Sequence, residues 1–172
     1  AYMSRDFFKT HLAELLEIPL LNPYLYGGIP LYANVGDLYY PISWILRLLL
    51  PVHVYTAYLY IIQVWLAGVF TYLFLKQLKL SFWPSFLGGI AYMFTGFLAS
   101  LVYAGHEGRM AIISLLPAML WIIHIATENR RIISFLIAGL ILGFILLVPH
   151  VQLNYYLLAT VFFYFLFRLY FI

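Results

Sequence analysis

The sequence predicts an all-α integral membrane protein, a polytopic helix bundle of about five spans with an ordered external loop that carries short interfacial helices. Two observations lead to this fold class. Of the 172 residues, 66% are hydrophobic and 9% are charged, whereas soluble domains average about 25% charged residues. Several apolar runs also reach the roughly 17 to 25 residues that cross the hydrocarbon of a bilayer. A soluble helical core does not account for runs of this length.

The first 52 residues are expected to form the external loop. Residues 4–18 fit an amphipathic helix that lies in the membrane interface, with Phe7, Phe8 and Leu12 on its apolar face. The following stretch, residues 21–41, contains Asn-Pro, Gly-Gly and further prolines, which indicate turns rather than one helix. Residues 42–50 are too few to cross a bilayer and predict a second interfacial or re-entrant helix, in which Arg47 is expected to snorkel toward the headgroups.

Residues 53–172 form the predicted transmembrane bundle. Its spans cover residues 54–75, 85–103, 110–127, 132–148 and 153–172. Gly88, Gly89 and Gly96 in the second span suit close packing of helices. Because the chain begins in polar sequence and stops inside an apolar run, we expect a fragment of a longer protein, with at least one helix before Ala1.

Basic residues predict how the bundle lies in the membrane. The breaks at residues 76–79, 128–131 and 168 alternate with GHEGR (residues 105–109) and PHVQ (residues 149–152). They hold five of the six basic residues that follow the start of the first span, and cytoplasmic loops are enriched in Lys and Arg. We therefore expect these three breaks on the cytoplasmic side, and the N-terminal loop, GHEGR and PHVQ together on the external side.

Polar residues on the predicted external face are the candidates for chemistry, and each has a plainer alternative. Asp6 is either a solvated interfacial charge or a metal ligand or general base beside a phosphate. GHEGR is either a simple hairpin or a site in which His106 and Glu107 do acid–base work or share a cation with Asp6, while Arg109 holds a phosphate. His150 is either an interfacial residue or a hydrogen-bond partner of a phosphate or sugar hydroxyl.

Several other classes of function find no support in the sequence. It has no P-loop, no dinucleotide-binding fingerprint and no GxSxG elbow. It has no cysteine, so a Cys-type zinc site is excluded. The basic residues are scattered at helix ends rather than gathered in a patch, so nucleic acid is not an expected partner. Polar residues inside apolar runs, such as Gln63 and His124, are expected to be helix-contact residues, although buried polar groups can also mark a transport pathway.

The stretch LNPYLYGGIPLYANVGDLYYP (residues 21–41) resembles the WNPYxFxGxPxxAxxxxxxYP loop of YfhO-like bacterial membrane proteins, which belong to the GT-C superfamily of polyprenyl-phosphate-sugar glycosyltransferases. The resemblance continues in order along the chain. Asp6 matches the family's Asp upstream of the loop, Gly105-His106 matches its GH, and residues 149–152 match its GHPQ. Two positions depart from the family pattern: Leu21 replaces the usual Trp, and PHVQ differs from GHPQ in its glycine and proline.

This resemblance implies a transferase in the plasma (inner) membrane of a prokaryote, with its catalytic loop facing outside. Its partners would be membrane lipid, a polyprenyl-phosphate-linked sugar donor and a cell-envelope glycopolymer, lipid or protein acceptor. A non-enzymatic transporter or flippase component for lipid-linked sugars is the alternative, and a membrane scaffold is a further one.

The complete candidate site combines the resemblance with the polar residues of the external face. The resemblance implies that Asp6 acts at the catalytic centre, with Glu107 as a second acidic position, and these two would hold a divalent cation, Mg²⁺ or Mn²⁺. The expected catalytic residues are Asp6, Glu107 and His106. The expected substrate-binding residues are Arg109, His150, Gln152, Asn22, Tyr24 and Asp37.

Overall fold

The structure, a computed structural model, describes residues 21–23, 27–30, 40–148 and 150–171. Within these ranges the chain forms helices α1 (Pro41–Leu49), α2 (Val52–Gln77), α3 (Phe82–Met93), α4 (Gly96–Tyr103), α5 (Glu107–Asn129), α6 (Ile132–Leu146) and α7 (Val151–Phe171). Two-residue strands β1 (Leu21–Asn22) and β2 (Ile29–Pro30) pair antiparallel. The predicted all-α membrane bundle is therefore confirmed.

Four stretches of the described chain are long and apolar enough to cross a membrane, namely Val54–Gln77, Phe82–Tyr103, Glu107–Asn129 and Val151–Phe171. Helix α6 is shorter. Its 15 residues rise about 22 Å, against about 30 Å of hydrocarbon in a typical bilayer. The fourth predicted span is thus an apolar helix of less than full length.

The second predicted span is interrupted, which corrects the expectation of one continuous helix. Helix α3 ends at Met93, and Thr95 begins α4 as its N-cap. The Thr95 hydroxyl donates to the Tyr92 carbonyl at 3.1 Å and accepts from the Leu98 amide at 3.5 Å. One side chain thus provides a hydrogen bond on each side of the break, which backbone inside a membrane requires.

Two of the three glycines in the second predicted span pack closely against another helix, as the sequence predicts. A Cβ on Gly89 would lie 2.8 Å from the Gly68 carbonyl oxygen, and one on Gly88 would collide with the Leu75 side chain. Helices α2 and α3 therefore approach closely because these positions lack a side chain. Gly96 has open space where a Cβ would lie, so its predicted packing role is wrong.

Helix α5 is the centre of the bundle. Its most apolar 18-residue window is 72% buried, whereas the corresponding window is at most 28% buried in the other three candidate spans. Helices α2, α6 and α7 pack around it, and the main core cluster draws on all four: Leu59, Met119, Ile122, Ile145 and Leu157. The buried central helix therefore carries residues of GHEGR at its start and Glu128 near its end.

Arg47 does not snorkel, which corrects the expectation from the sequence. It is 1% exposed, its Nη2 donates to the Tyr55 hydroxyl at 3.4 Å, and its guanidinium carbon lies 5.2 Å from the centre of the Tyr55 ring. The face of α1 that packs on α2 offers this cation an aromatic ring and a phenol oxygen, so the guanidinium is held inside the protein. The short helix predicted for residues 42–50 is itself confirmed.

The loop is described in part. Gly27 and Gly28 have φ of +77° and +118°, a conformation that glycine adopts without the strain of a Cβ atom. They turn the chain between β1 and β2, as the Gly-Gly pair predicts. The amphipathic helix expected for residues 4–18 lies outside the described residues, and so do Asp6, Tyr24 and Asp37.

The polar breaks gather at two opposite ends of the bundle. The GHEGR end carries residues 105–109 and 150–154, and the ENRR end carries residues 76–79, 124–131 and 168. Arg109 Nε lies 2.9 Å from His150 Nε2 at the first end, and Gln77 Nε2 lies 2.7 Å from Glu128 Oε2 at the second. These contacts group the breaks as the sequence predicted, and α5, about 34 Å long for its 23 residues, separates the two groups.

Candidate functional site

The backbone of GHEGR connects two helices. Three residues, 104–106, separate the last residue of α4 from the first residue of α5. The Gly105 amide donates to the Val102 carbonyl at 3.1 Å, and the His106 amide donates to the Leu101 carbonyl at 3.0 Å. This pair of bonds is a Schellman motif, and Gly105 supplies the left-handed residue that it needs, with φ of +73°. His106 is then the N-cap residue of α5. The first glycine of GHEGR therefore has a structural role, and it fixes where the following polar side chains begin.

Glu107 is the first residue of α5 and is buried, with 7% of its surface exposed. A carboxylate is unusual in this position unless the surroundings stabilise its charge. The positive end of the α5 dipole contributes to that stabilisation. Of the two candidate roles for GHEGR, a plain solvated hairpin does not agree with a buried Glu107.

Arg109 connects GHEGR to the second polar break. Its Nε donates to His150 Nε2 at 2.9 Å across 41 residues of sequence. An imidazole nitrogen that accepts a hydrogen bond carries no proton, so the neutral His150 ring has its proton on Nδ1. The Leu153 amide, 3.4 Å from His150 Nδ1, is then a close approach rather than a hydrogen bond, because both nitrogens would point hydrogens at each other.

Burial is the main factor that lowers the pKa of His150 below its ordinary value of 6.5, and the Arg109 cation and His106 lower it further. A hydrogen bond of the His150 backbone acts in the opposite direction. Neutral His150 is the form that can accept from Arg109, so the lowered pKa and the contact agree. Arg109 is exposed, so its guanidinium is accessible to an anionic group.

The start of α7 adds an amide that the sequence reasoning missed. Asn154 is buried, its amide nitrogen donates to the Val148 carbonyl at 2.9 Å, and its backbone amide donates to the His150 carbonyl at 3.0 Å. Among the described residues its side-chain oxygen has no hydrogen-bond partner. The available signal was a polar residue at the start of an apolar run. Asn154 fixes the turn that presents His150.

The candidate residues are therefore brought together only in part. His106, Glu107, Arg109 and His150 share the GHEGR end, and the exposed Gln152 lies beside them, with its amide 3.3 Å from the Tyr156 hydroxyl. Asn22 lies in β1, and Asp6, Tyr24 and Asp37 are outside the described part of the chain.

Arg47 is a second guanidinium at this end that the sequence reasoning did not assign to the site. It contacts Tyr55 in the first turn of α2, and α2 runs from there to Gln77 at the ENRR end. A buried cation is therefore placed beneath the end of the bundle where Glu107 lies.

The described residues do not form a metal site by themselves. In the ranges that the structure describes, no three His, Asp or Glu side chains are placed to hold a cation. Glu107 is the one carboxylate that these ranges supply at the GHEGR end. A divalent cation needs several oxygen ligands, so the predicted Mg²⁺ or Mn²⁺ depends on Asp6.

The geometry nevertheless fits a definite kind of chemistry. An exposed guanidinium suits a phosphate, and a buried carboxylate with a neighbouring imidazole suits removal of a proton from a hydroxyl. Comparison with protein-family models, with curated proteins and with solved structures gave no significant match to this chain.

Proposed function

We propose that the protein is a membrane glycosyltransferase of the GT-C type, similar to YfhO-like proteins, with its site at the GHEGR end. The observation that carries the proposal is the 2.9 Å contact between Arg109 and His150, which joins two polar breaks beside the buried Glu107. The resemblance of residues 21–41 to the YfhO-like loop supports the substrate class, a sugar on a polyprenyl phosphate.

Arg109 and Glu107 have complementary roles in this proposal. The acceptor hydroxyl oxygen forms a bond to the anomeric carbon of the sugar, and the bond from that carbon to the phosphate oxygen breaks. The hydroxyl proton passes to the Glu107 carboxylate, and the phosphate keeps the electron pair. Arg109 stabilises the charge that develops on the phosphate, and such preorganised groups are a large part of catalysis in many enzymes. His150 accepts from Arg109 and orients its guanidinium.

The same proposal indicates where the lipid tail of the donor lies and which side of the membrane the site faces. Exposed apolar side chains on α3, α6 and α7 suit contact with lipid, so a polyprenyl tail can lie along the bundle while its phosphate rises to Arg109. The five basic residues of the ENRR end favour a cytoplasmic position for that end. The GHEGR end then faces outward across the plasma membrane of a prokaryote, toward a cell-envelope acceptor.

A matched pair of carboxylates tests the proposal. We expect Glu107→Gln to lower sugar transfer from a polyprenyl-phosphate donor in reconstituted membranes by at least about 100-fold. Glu128→Gln, at the ENRR end, should leave the rate unchanged. Both variants keep the side-chain shape. A loss confined to Glu107→Gln, in protein that thermal unfolding shows to be folded at the assay temperature, assigns the chemistry to the GHEGR end. Equal rates in the two variants would remove the assignment.

Asp6 and the cation are tested in the same assay. Asp6→Asn is expected to abolish transfer while insertion into the membrane stays intact, and a chelator should have the same effect on the unaltered protein. Loss of a group that supports a metal costs about 10 to 100-fold. Activity that is lost in Asp6→Asn yet indifferent to chelator would make Asp6, in place of Glu107, the general base that takes the hydroxyl proton, without a metal.

Transport of the lipid-linked sugar is the second candidate, and one observation favours it. Gln63 lies within α2, is fully buried, and has no hydrogen-bond partner among the described residues for its amide nitrogen or oxygen. Polar groups inside membranes often mark a pathway. Movement of a labelled lipid-linked sugar between leaflets, without transfer to an acceptor, would favour this function over the transferase.

A further inference from the structure

The ENRR end has its own cleft, which the proposed transferase does not use. It has a volume of about 260 Å³ and is lined by Gln77, Leu78, Lys79, His124, Glu128 and Arg168. These residues come from the ends of α2, α5 and α7, so three helices build it. The α5 helix separates this cleft from the GHEGR end.

Two walls of the cleft are held in place by side-chain contacts. Gln77 Nε2 donates to Glu128 Oε2 at 2.7 Å, and His124 Nδ1 lies 2.7 Å from the Tyr164 hydroxyl. On the α7 side, Arg168 Nε donates to the Thr127 hydroxyl at 3.3 Å. The Arg168 guanidinium is therefore positioned at the cleft.

Lys79 reaches the cleft from an unusual backbone position. The Lys79 amide donates to the Lys76 carbonyl at 3.0 Å and the Leu80 amide to the Leu75 carbonyl at 3.3 Å, which is a Schellman motif. Lys79 is its left-handed residue, with φ of +64°. Glycine is usual at this place because a Cβ atom raises the energy of the left-handed conformation. Arg130, the residue that ends α5, is also left-handed, with φ of +52°, but Lys79 is the one of the two that lines the cleft.

In the described part of the chain, neither of the two cations that line the cleft is paired with a carboxylate. Among the described residues, the Lys79 ammonium has no hydrogen-bond or ion-pair partner, and Arg168 pairs with a neutral hydroxyl rather than a carboxylate. Lys76 behaves differently, since its ammonium donates to the Leu80 carbonyl at 3.2 Å at the end of α2. Ordinary helix capping thus explains Lys76 but not Lys79.

We propose that the cleft of the ENRR end binds a phosphate-bearing anion between Lys79 and Arg168. Basic pockets between transmembrane helices are typical sites for anionic headgroups, and Arg and Lys are the side chains that hold phosphate oxygens. The ligand is either the headgroup of an anionic lipid or a free phosphate. The Glu128 carboxylate lines the same cleft, where it accepts from Gln77 at 2.7 Å and lies 3.9 Å from His124 Nε2. Its negative charge weakens the binding of an anion.

Thermal unfolding of the delipidated protein in a neutral detergent tests this site. Phosphatidylglycerol, phosphatidylcholine and inorganic phosphate are titrated separately, and a ligand that binds the folded state raises the unfolding temperature in proportion to its affinity. We expect phosphatidylglycerol to raise it and phosphatidylcholine to raise it less. A response to inorganic phosphate equal to that of phosphatidylglycerol would assign the site to free phosphate instead of a lipid headgroup.

Three variants decide the position of the site. Lys79→Gln should need about tenfold more of the anion for the same stabilisation, since one charge-assisted contact is lost. Glu128→Gln should need less anion, because a repulsive charge is removed. Lys76→Gln, the matched control on the same helix end, should behave as the unaltered protein. An unaltered protein that does not respond to either anion, or a Lys79→Gln protein that responds as strongly as the control, would overturn the proposal.

Discussion

Two helix ends in this bundle are built by the same pair of backbone hydrogen bonds and yet carry different residues. The end of α4 places Gly105 at the left-handed position, and the end of α2 places Lys79 there. At the end of α4, glycine adopts the left-handed conformation without a Cβ atom, and the polar side chains follow it. At the end of α2, a residue with a Cβ atom adopts the less favourable left-handed conformation, and its side chain lines the cleft of the ENRR end. The same turn therefore precedes a polar segment at one end and presents a cation at the other.

Charged groups are also stabilised differently at the two ends. At the ENRR end they are partly exposed and joined across helices, as in the contact of Gln77 with Glu128. At the GHEGR end, Glu107 and Arg47 are buried while Arg109 stays exposed. Removal of a charge should therefore affect stability far more at the GHEGR end than at the ENRR end.

Arg47→Gln is the variant with the largest expected effect on stability. It removes a hydrogen bond from a charged donor and a cation–π contact with Tyr55, so we expect the free energy of unfolding to fall by about 2 to 4 kcal/mol. Arg131→Gln, on the exposed ENRR end, should change it by less than about 0.5 kcal/mol. Unfolding in mixed micelles measures both. Similar losses in the two variants would contradict the difference between the ends.

The placement of Arg47 shows where sequence reasoning failed. Its short helix was predicted correctly, because proline signals and apolar length depend on local sequence. The direction of the side chain depends on what α1 packs against, and Tyr55 lies on the next helix. A cation–π partner eight residues away is not visible in hydropathy, so the expectation of an exposed, snorkelling arginine was wrong.

The contact between His150 and Arg109 makes the GHEGR end sensitive to pH. Its folded pKa is lowered, so the unfolded chain binds the proton more readily. The stability from neutral His150 is present above pH 6.5 and is lost as the pH falls from 6.5 through the folded pKa. Protonated His150 cannot accept from Arg109, and the two cations repel each other. We expect transfer activity and thermal stability to fall together in this acidic range.

The control for this dependence is His150→Gln, which keeps a polar side chain but does not titrate near neutral pH. Its activity below pH 6.5 should fall less steeply than that of the unaltered protein, although its maximal rate is lower. If the activity of His150→Gln falls below pH 6.5 as steeply as that of the unaltered protein, another group causes the loss of activity at acidic pH. The contact between Arg109 and His150 would then not explain it.

The candidate site could be predicted from the sequence only as a set of breaks at one end. Alternation of apolar runs was enough to bring GHEGR and His150 together, because each span reverses the direction of the chain. Burial of Glu107 and the role of Asn154 depend on tertiary contacts, which no local pattern encodes. The Thr95 break in the second span was missed for a related reason, since Thr95 lies within an apolar run of suitable length and hydropathy does not reveal its cap.

Gln63 lies within α2, away from the polar breaks at either end, and gives the smallest expected effect. Its buried amide has no hydrogen-bond partner among the described residues, and a buried polar group left in that state costs about 1 to 3 kcal/mol. Gln63→Leu replaces it with an apolar side chain of similar size, so we expect stability to be unchanged or to rise by about 1 kcal/mol. Under the transferase proposal the rate of sugar transfer also stays unchanged, because the amide is far from the GHEGR end. A stable Gln63→Leu protein that loses movement of lipid-linked sugar between leaflets would instead assign Gln63 to a transport pathway, and the two ends would then be the two mouths of that pathway.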